Sequence, residues 1–247
     1  MSEPWKNSEP LLANVAPTVN NRLGLNWLIG AAVVTALLWQ LPGGDYILYP
    51  FTILATWFHE MAHGLMAALL GGNFQELQIF PNGSGFAAYR FPASWDPIRR
   101  ALVAAAGPMG PPIAGAALIM ASRSYKTASL SLKILGISLL VSTLIWVRSL
   151  FGFIFIPLLG IVILFLGLKV TRSVQAFAIQ FLGVQACVST YHQLDYLFSQ
   201  TAGRLGVSDT AQIQQQLFLP YWFWGALMAV ASVAILIQSL RVAYRAN

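Results

Sequence analysis

The run His59-Glu60-Met61-Ala62-His63 concentrates the chemistry of this sequence. On a helix, positions i and i+4 lie on one face, so both imidazoles can hold a single zinc ion. Glu60, beside the first histidine, is placed to take a proton from a zinc-activated water. The chain has only 3 histidines, and this run uses two of them. At this composition chance expects roughly 0.0006 such runs, so coincidence does not explain it.

A catalytic zinc site usually has three protein ligands and one open position. The aspartates are Asp45, Asp96, Asp195 and Asp209. Asp195 is the one inside a long apolar run. A carboxylate at membrane depth needs a partner, and a zinc ion would supply one, which makes Asp195 a candidate third ligand; an ion pair with Arg148 or another buried cation is the alternative. His192 lies one turn earlier on the same face and is an alternative ligand. Asp209 follows Ser208 and reads first as the Ser-Asp start of a helix, with a ligand role as a further alternative.

The stretch from Ala104 to Pro112 contains Gly107, Pro108, Gly110, Pro111 and Pro112. Its small residues allow close helix approach, and its prolines free backbone groups that must face protein or a wet cavity. A kinked segment packed on the His59–His63 helix satisfies both.

The elements that must position these residues are membrane helices. Only 9% of the 247 residues are charged and 57% are hydrophobic, against about 25% charged in a soluble domain. Mean hydropathy is +0.66. That excludes a disordered chain, a soluble enzyme with a polar shell, and a nucleic-acid-binding domain; the net charge of +6 reads as interfacial anchors. The lone cysteine, Cys187, excludes an internal disulfide and a Cys-rich zinc module. Apolar runs at 23–41, 46–70, 101–121, 149–168, 174–198 and 217–240 are long enough to span a bilayer. A shorter run at 134–147 sits between Lys133 and Arg148, whose side chains can reach the interface.

The expected fold is therefore an all-α polytopic membrane protein of six or seven transmembrane helices. Residues 1–22 form a polar tail without the apolar core of a signal peptide, and residues 23–247 form one membrane-embedded domain. Between the second and third runs, two partly alternating segments flank Pro81-Asn82-Gly83-Ser84-Gly85, a short β-hairpin signal. With seven spans the 14 cations divide evenly between the two sides, so charge does not fix orientation.

His59-Glu60-x-x-His63, then Ala105-Ala106-Gly107-Pro108 opening the next span, then Leu194-Asp195 in a late span resemble the site-2 protease family of intramembrane zinc metalloproteases. The likeness is to the compact branch without a PDZ or CBS domain. Ser208-Asp209-Thr210-Ala211 and Pro220-Tyr221-Trp222-Phe223-Trp224 are similar to that branch as well. The resemblance implies His59, His63 and Asp195 as zinc ligands, Glu60 as general base, and Gly107 and Pro108 beside the substrate. It implies cleavage of a membrane-protein or peptide substrate within the bilayer of a bacterial plasma membrane or an organelle. Two positions depart from the family pattern: Met109 follows Gly107-Pro108 where an Asn is usual, and Tyr196 follows Leu194-Asp195 where a Gly is usual. Two other functions fit the residues: a relative that keeps the metal without proteolysis, and a small metal-ion transporter.

Overall fold

The structure is a computed structural model that describes residues 21–38, 40–192, 194–202 and 206–244. The polar tail expected at 1–22 falls almost wholly outside them. The chain is mostly helical: α1 (Asn21–Leu38), α2 (Gly44–Leu69), α3 (Pro97–Ala121), α4 (Tyr125–Ile145), α5 (Leu150–Lys169), α6 (Arg172–His192), α7 (Leu194–Leu197), α8 (Asp209–Leu217) and α9 (Tyr221–Tyr244). Between α2 and α3 stand β1 (Asn73–Ile79) and β2 (Gly85–Arg90), the expected hairpin.

Among the described residues, four helices are long and apolar enough to cross a membrane: α3, α4, α5 and α9. The protein is an integral, multi-pass membrane protein. The expected six or seven spans include α2 and α6, which are as long but more polar, because they carry the site and buried glutamines such as Gln175, Gln180 and Gln185. On α5 only 28% of the apolar window is buried, and Phe153, Ile154, Leu158, Ile161 and Phe165 point outward. An apolar surface of this kind is stable against lipid, not water.

The most buried of the four is α3, at 56% of its window. It packs against α2, α6, α8 and α9. Its crossing with α6 is close because a Cβ on Gly115 would stand 2.6 Å from the Gly183 carbonyl, and one on Gly183 would stand 2.8 Å from the Gly115 carbonyl. Such small-residue contacts draw helices together where lipid gives no hydrophobic drive.

The hairpin lies along α2. Tyr49 Oη donates to the Pro81 carbonyl at 2.7 Å and Thr56 Oγ1 to the Gly83 carbonyl at 2.6 Å, so two helix side chains pin its turn. At the other end Phe74 packs over Gly64 and stacks on Trp146, with ring centroids 4.9 Å apart. The outer edge of β1 is closed: Leu77 N donates to the Trp146 carbonyl at 2.8 Å, and Arg148 N donates to the Leu77 carbonyl at 2.9 Å. Ser149 Oγ accepts from Ile79 N and donates to the Ile79 carbonyl. Leu77 pairs with Ala87 across the hairpin. Because Leu77 spends its backbone groups on the α4–α5 turn, those of Ala87 point away from β1, toward the free edge of β2.

Candidate metal centre

His59, Glu60 and His63 sit on the buried face of α2, past its midpoint. The ring nitrogens converge as the i, i+4 spacing requires, with His59 Nε2 and His63 Nε2 3.2 Å apart. The third group is Asp209. Its Oδ2 lies 3.1 Å from His59 Nε2 and its Oδ1 lies 3.3 Å from His63 Nε2. Among the described residues, His59, His63 and Asp209 form the cluster able to hold a metal ion.

Asp195, the expected third ligand, does not join it. It is exposed on the short helix α7, and the third position in the cluster is held by Asp209. The apolar run around Asp195 is divided between α6 and α7, and its carboxylate is exposed, not enclosed among the helices. His192 ends α6, and its side chain lies outside the described residues. The helix-start reading of Ser208-Asp209 holds as well. Ser208 is the N-cap and accepts from Ala211 N at 3.3 Å. The cap role therefore falls to Ser208, leaving the Asp209 carboxylate at the first helical position free to reach the imidazoles.

Neighbouring groups orient each of the three. His63 Nδ1 stands 2.7 Å from the Val103 carbonyl. A carbonyl only accepts, so Nδ1 carries a proton, and Nε2 is the ring atom turned toward the cluster. Tyr196 Oη donates to Asp209 Oδ2 at 3.0 Å and accepts from Asp209 N at 3.2 Å. Burial opposes charge on Asp209, but the His63 and His59 rings outweigh it and hold the carboxyl well below the usual carboxylate range.

Gly107 explains how α3 comes so near. A Cβ there would lie 2.0 Å from His63 Nε2 and 2.7 Å from His59 Nε2. Gly107 and Pro108, expected beside the substrate, are both buried, with Gly107 against the imidazole Nε2 atoms, and neither lines the cavity. Their place follows from the missing side chain at 107, which lets backbone take the space next to the rings.

The cavity in front has a volume of about 450 Å³. Its walls include His59, Glu60 and His63 from α2, Gly85 to Ala87 and Tyr89 from β2, Tyr196, and Asp209. Gly85 passes closely over the acid, since a Cβ there would meet Glu60 Cγ at 2.7 Å. A second cavity of about 370 Å³ lies beyond the hairpin turn and shares Thr56, Asn82 and Gly83 with the first.

The donor set fits zinc. Bonds of about 2.0–2.1 Å in a tetrahedral site place ligand atoms about 3.3–3.4 Å apart, close to the 3.1, 3.2 and 3.3 Å separations of this cluster. Two imidazoles and one carboxylate leave the fourth position open.

A multi-pass membrane protein with a buried His-His-Asp cluster beside a glutamate has the makings of a membrane metallopeptidase. The chain belongs to the peptidase M50B-like family, whose model matches residues 29–239. That agrees with the site-2 protease resemblance of its motifs. No curated protein and no solved structure matches the chain.

Proposed function

We propose that this protein is an intramembrane zinc endopeptidase that cleaves membrane-protein substrates, with His59, His63 and Asp209 as the zinc ligands and Glu60 as the general base. The observation that carries the reading is the convergence of these four side chains on one buried cavity, from elements as far apart in sequence as α2 and α8.

Zinc bound there would supply Lewis acidity to the scissile carbonyl and bring the pKa of water down toward about 7. The Glu60 carboxylate takes the proton of the attacking water and later delivers it to the leaving amine nitrogen. Its burial on α2 keeps it beside the two histidines. Val103 and Tyr196 hold His63 and Asp209 in the orientation the ligand role needs.

Among the described residues no strand pairs with the outer edge of β2, and β2 lines the same cavity. An unwound stretch of substrate can add to that edge as a further strand through the Ala87 carbonyl, since the Ala87 backbone N–H is hydrogen-bonded to the Glu60 carboxylate. Strand pairing extends the substrate backbone and exposes a peptide bond that a helix would shield.

The test is Glu60→Gln in the full-length chain, co-expressed with a single-pass membrane substrate. Zinc content is expected to stay at the wild-type level while cleavage is lost. Continued cleavage by the variant would overturn the base assignment.

A further inference from the structure

We propose that Tyr89 is a catalytic residue whose phenol donates a hydrogen bond to the carbonyl oxygen of the scissile bond as that oxygen gains negative charge. The proposal rests on the protease reading above and adds a residue to it.

Attack of water on an amide turns the planar carbonyl into a tetrahedral centre with a charged oxygen. Donors fixed in advance toward that oxygen lower the barrier more than any ground-state contact. The wall of the cavity can be searched for such a donor. Thr56 gives its hydroxyl hydrogen to the backbone of the hairpin turn or of α2. Tyr196 gives its own to Asp209. Ser84 donates to Asn82 Oδ1, and Gln212 gives one of its two amide hydrogens to the Val207 carbonyl. Asn82 and Thr201 are exposed at the rim. Among the hydroxyls of the wall, that of Tyr89 is the one with no hydrogen-bond partner among the described residues.

Its ring is held beside the cluster. It packs beside His63, with centroids 6.2 Å apart and planes tilted by 32°. Phe91 meets it edge-on at 5.2 Å. Tyr89 also belongs to β2, the strand along which substrate would lie, and lines the same cavity as Glu60. A phenol ionises near pH 10, so it is a donor at neutral pH. The donor therefore approaches substrate from the β2 side, whereas Glu60 acts from α2. The step is a hydrogen bond only: the phenol proton stays on Tyr89, and Glu60 carries the proton from water to the amine.

The experiment compares wild type, Tyr89→Phe and Glu60→Gln as purified full-length protein in lipid nanodiscs. The substrate is a fluorescence-quenched peptide with one Leu/Ala-rich segment broken by Gly-Asn. The second probe is the same peptide with a phosphinic acid in place of the scissile amide, a mimic of the tetrahedral centre. Tyr89→Phe keeps the ring on His63. It should lower kcat about 10²–10³-fold, leave KM within about twofold, leave zinc content unchanged, and weaken phosphinic-peptide binding in parallel with kcat. Substrate affinity of the double variant E60Q/Y89F should match that of E60Q. Unchanged kcat and phosphinic affinity in Tyr89→Phe would overturn the proposal, and so would a fall explained by lost zinc. If Glu60→Gln is inactive while Tyr89→Phe is fully active, only the Tyr89 role fails. If wild type neither cleaves the peptide nor binds the phosphinic probe, the protease reading fails with it.

Discussion

Tyr196 and Asp209 hold each other through two hydrogen bonds, one from the phenol to the carboxylate and one from the Asp209 backbone amide to the phenol oxygen. The pair fixes the first turn of α8 against α7 and aims the carboxylate at both imidazoles. Tyr196→Phe removes the donor and the acceptor together. Zinc affinity is expected to fall about 10–100-fold, the usual effect of losing an outer-shell partner. Competition with a chromophoric chelator measures it, and unchanged affinity would remove Tyr196 from the support of the site.

Asp209→Asn and Asp195→Asn should behave differently. The first is expected to lose stoichiometric zinc and all cleavage. The second, altering an exposed carboxylate on α7, should keep both. Elemental analysis of the purified variants separates them, and zinc retained by Asp209→Asn would mean that another group completes the set.

Gly107→Ala places a methyl group where His63 Nε2 now stands, at 2.0 Å. Relieving that contact needs a shift of about 1 Å or more in the ring or in α3. The expected result is a loss of zinc affinity of at least tenfold, read by the same competition assay. Wild-type affinity would show that α3 can withdraw without disturbing the ligands.

Gly64→Ala tests the hairpin apart from the metal. Its Cβ would fall 2.3–2.4 Å from the Phe74 ring, which is already stacked on Trp146. Overpacking of this kind costs about 1–3 kcal/mol, so the melting temperature in detergent should drop by about 2–4 °C for each kcal/mol lost. An unchanged melting temperature would mean that the hairpin base is loosely packed.

Chelation should lower the melting temperature of the wild type more than that of Asp209→Asn. With free zinc about a thousandfold above Kd, binding contributes about 4 kcal/mol to the folded state. Equal shifts on adding a chelator would show that zinc binds elsewhere.

Much of this site is legible in the sequence because a helix has a fixed period. His59 and His63 had to share a face, and Glu60 had to stand beside them. The hairpin was legible too, since Pro81-Asn82-Gly83-Ser84-Gly85 separates two short alternating runs. The aspartate that joins the two histidines in the cluster was not. Apolar surroundings suggested that Asp195 lay within a span, but the helix ends first and a four-residue turn carries it to the surface. Asp209 carried the opposite signals, a short polar stretch and a capping serine. Hydropathy reports the average environment of a segment. It does not report that the first turn of a short polar helix folds back under the membrane helices to meet α2. Span number was blurred for a related reason: α2 gives up hydropathy for the site residues, and α6 for buried glutamines.

The distance along the chain between the histidines and Asp209 also bears on how the protein is made. Synthesis runs from the N-terminus, so His59, Glu60 and His63 emerge and insert long before Asp209 exists. Throughout that interval a nascent chain has the two histidines and the glutamate but not the cluster they form with Asp209. On the metal set proposed above, metal is held in full only when α8 has been made and has docked. Cleavage is then expected only after the chain's own insertion is nearly finished, and not at the ribosome or the insertion machinery.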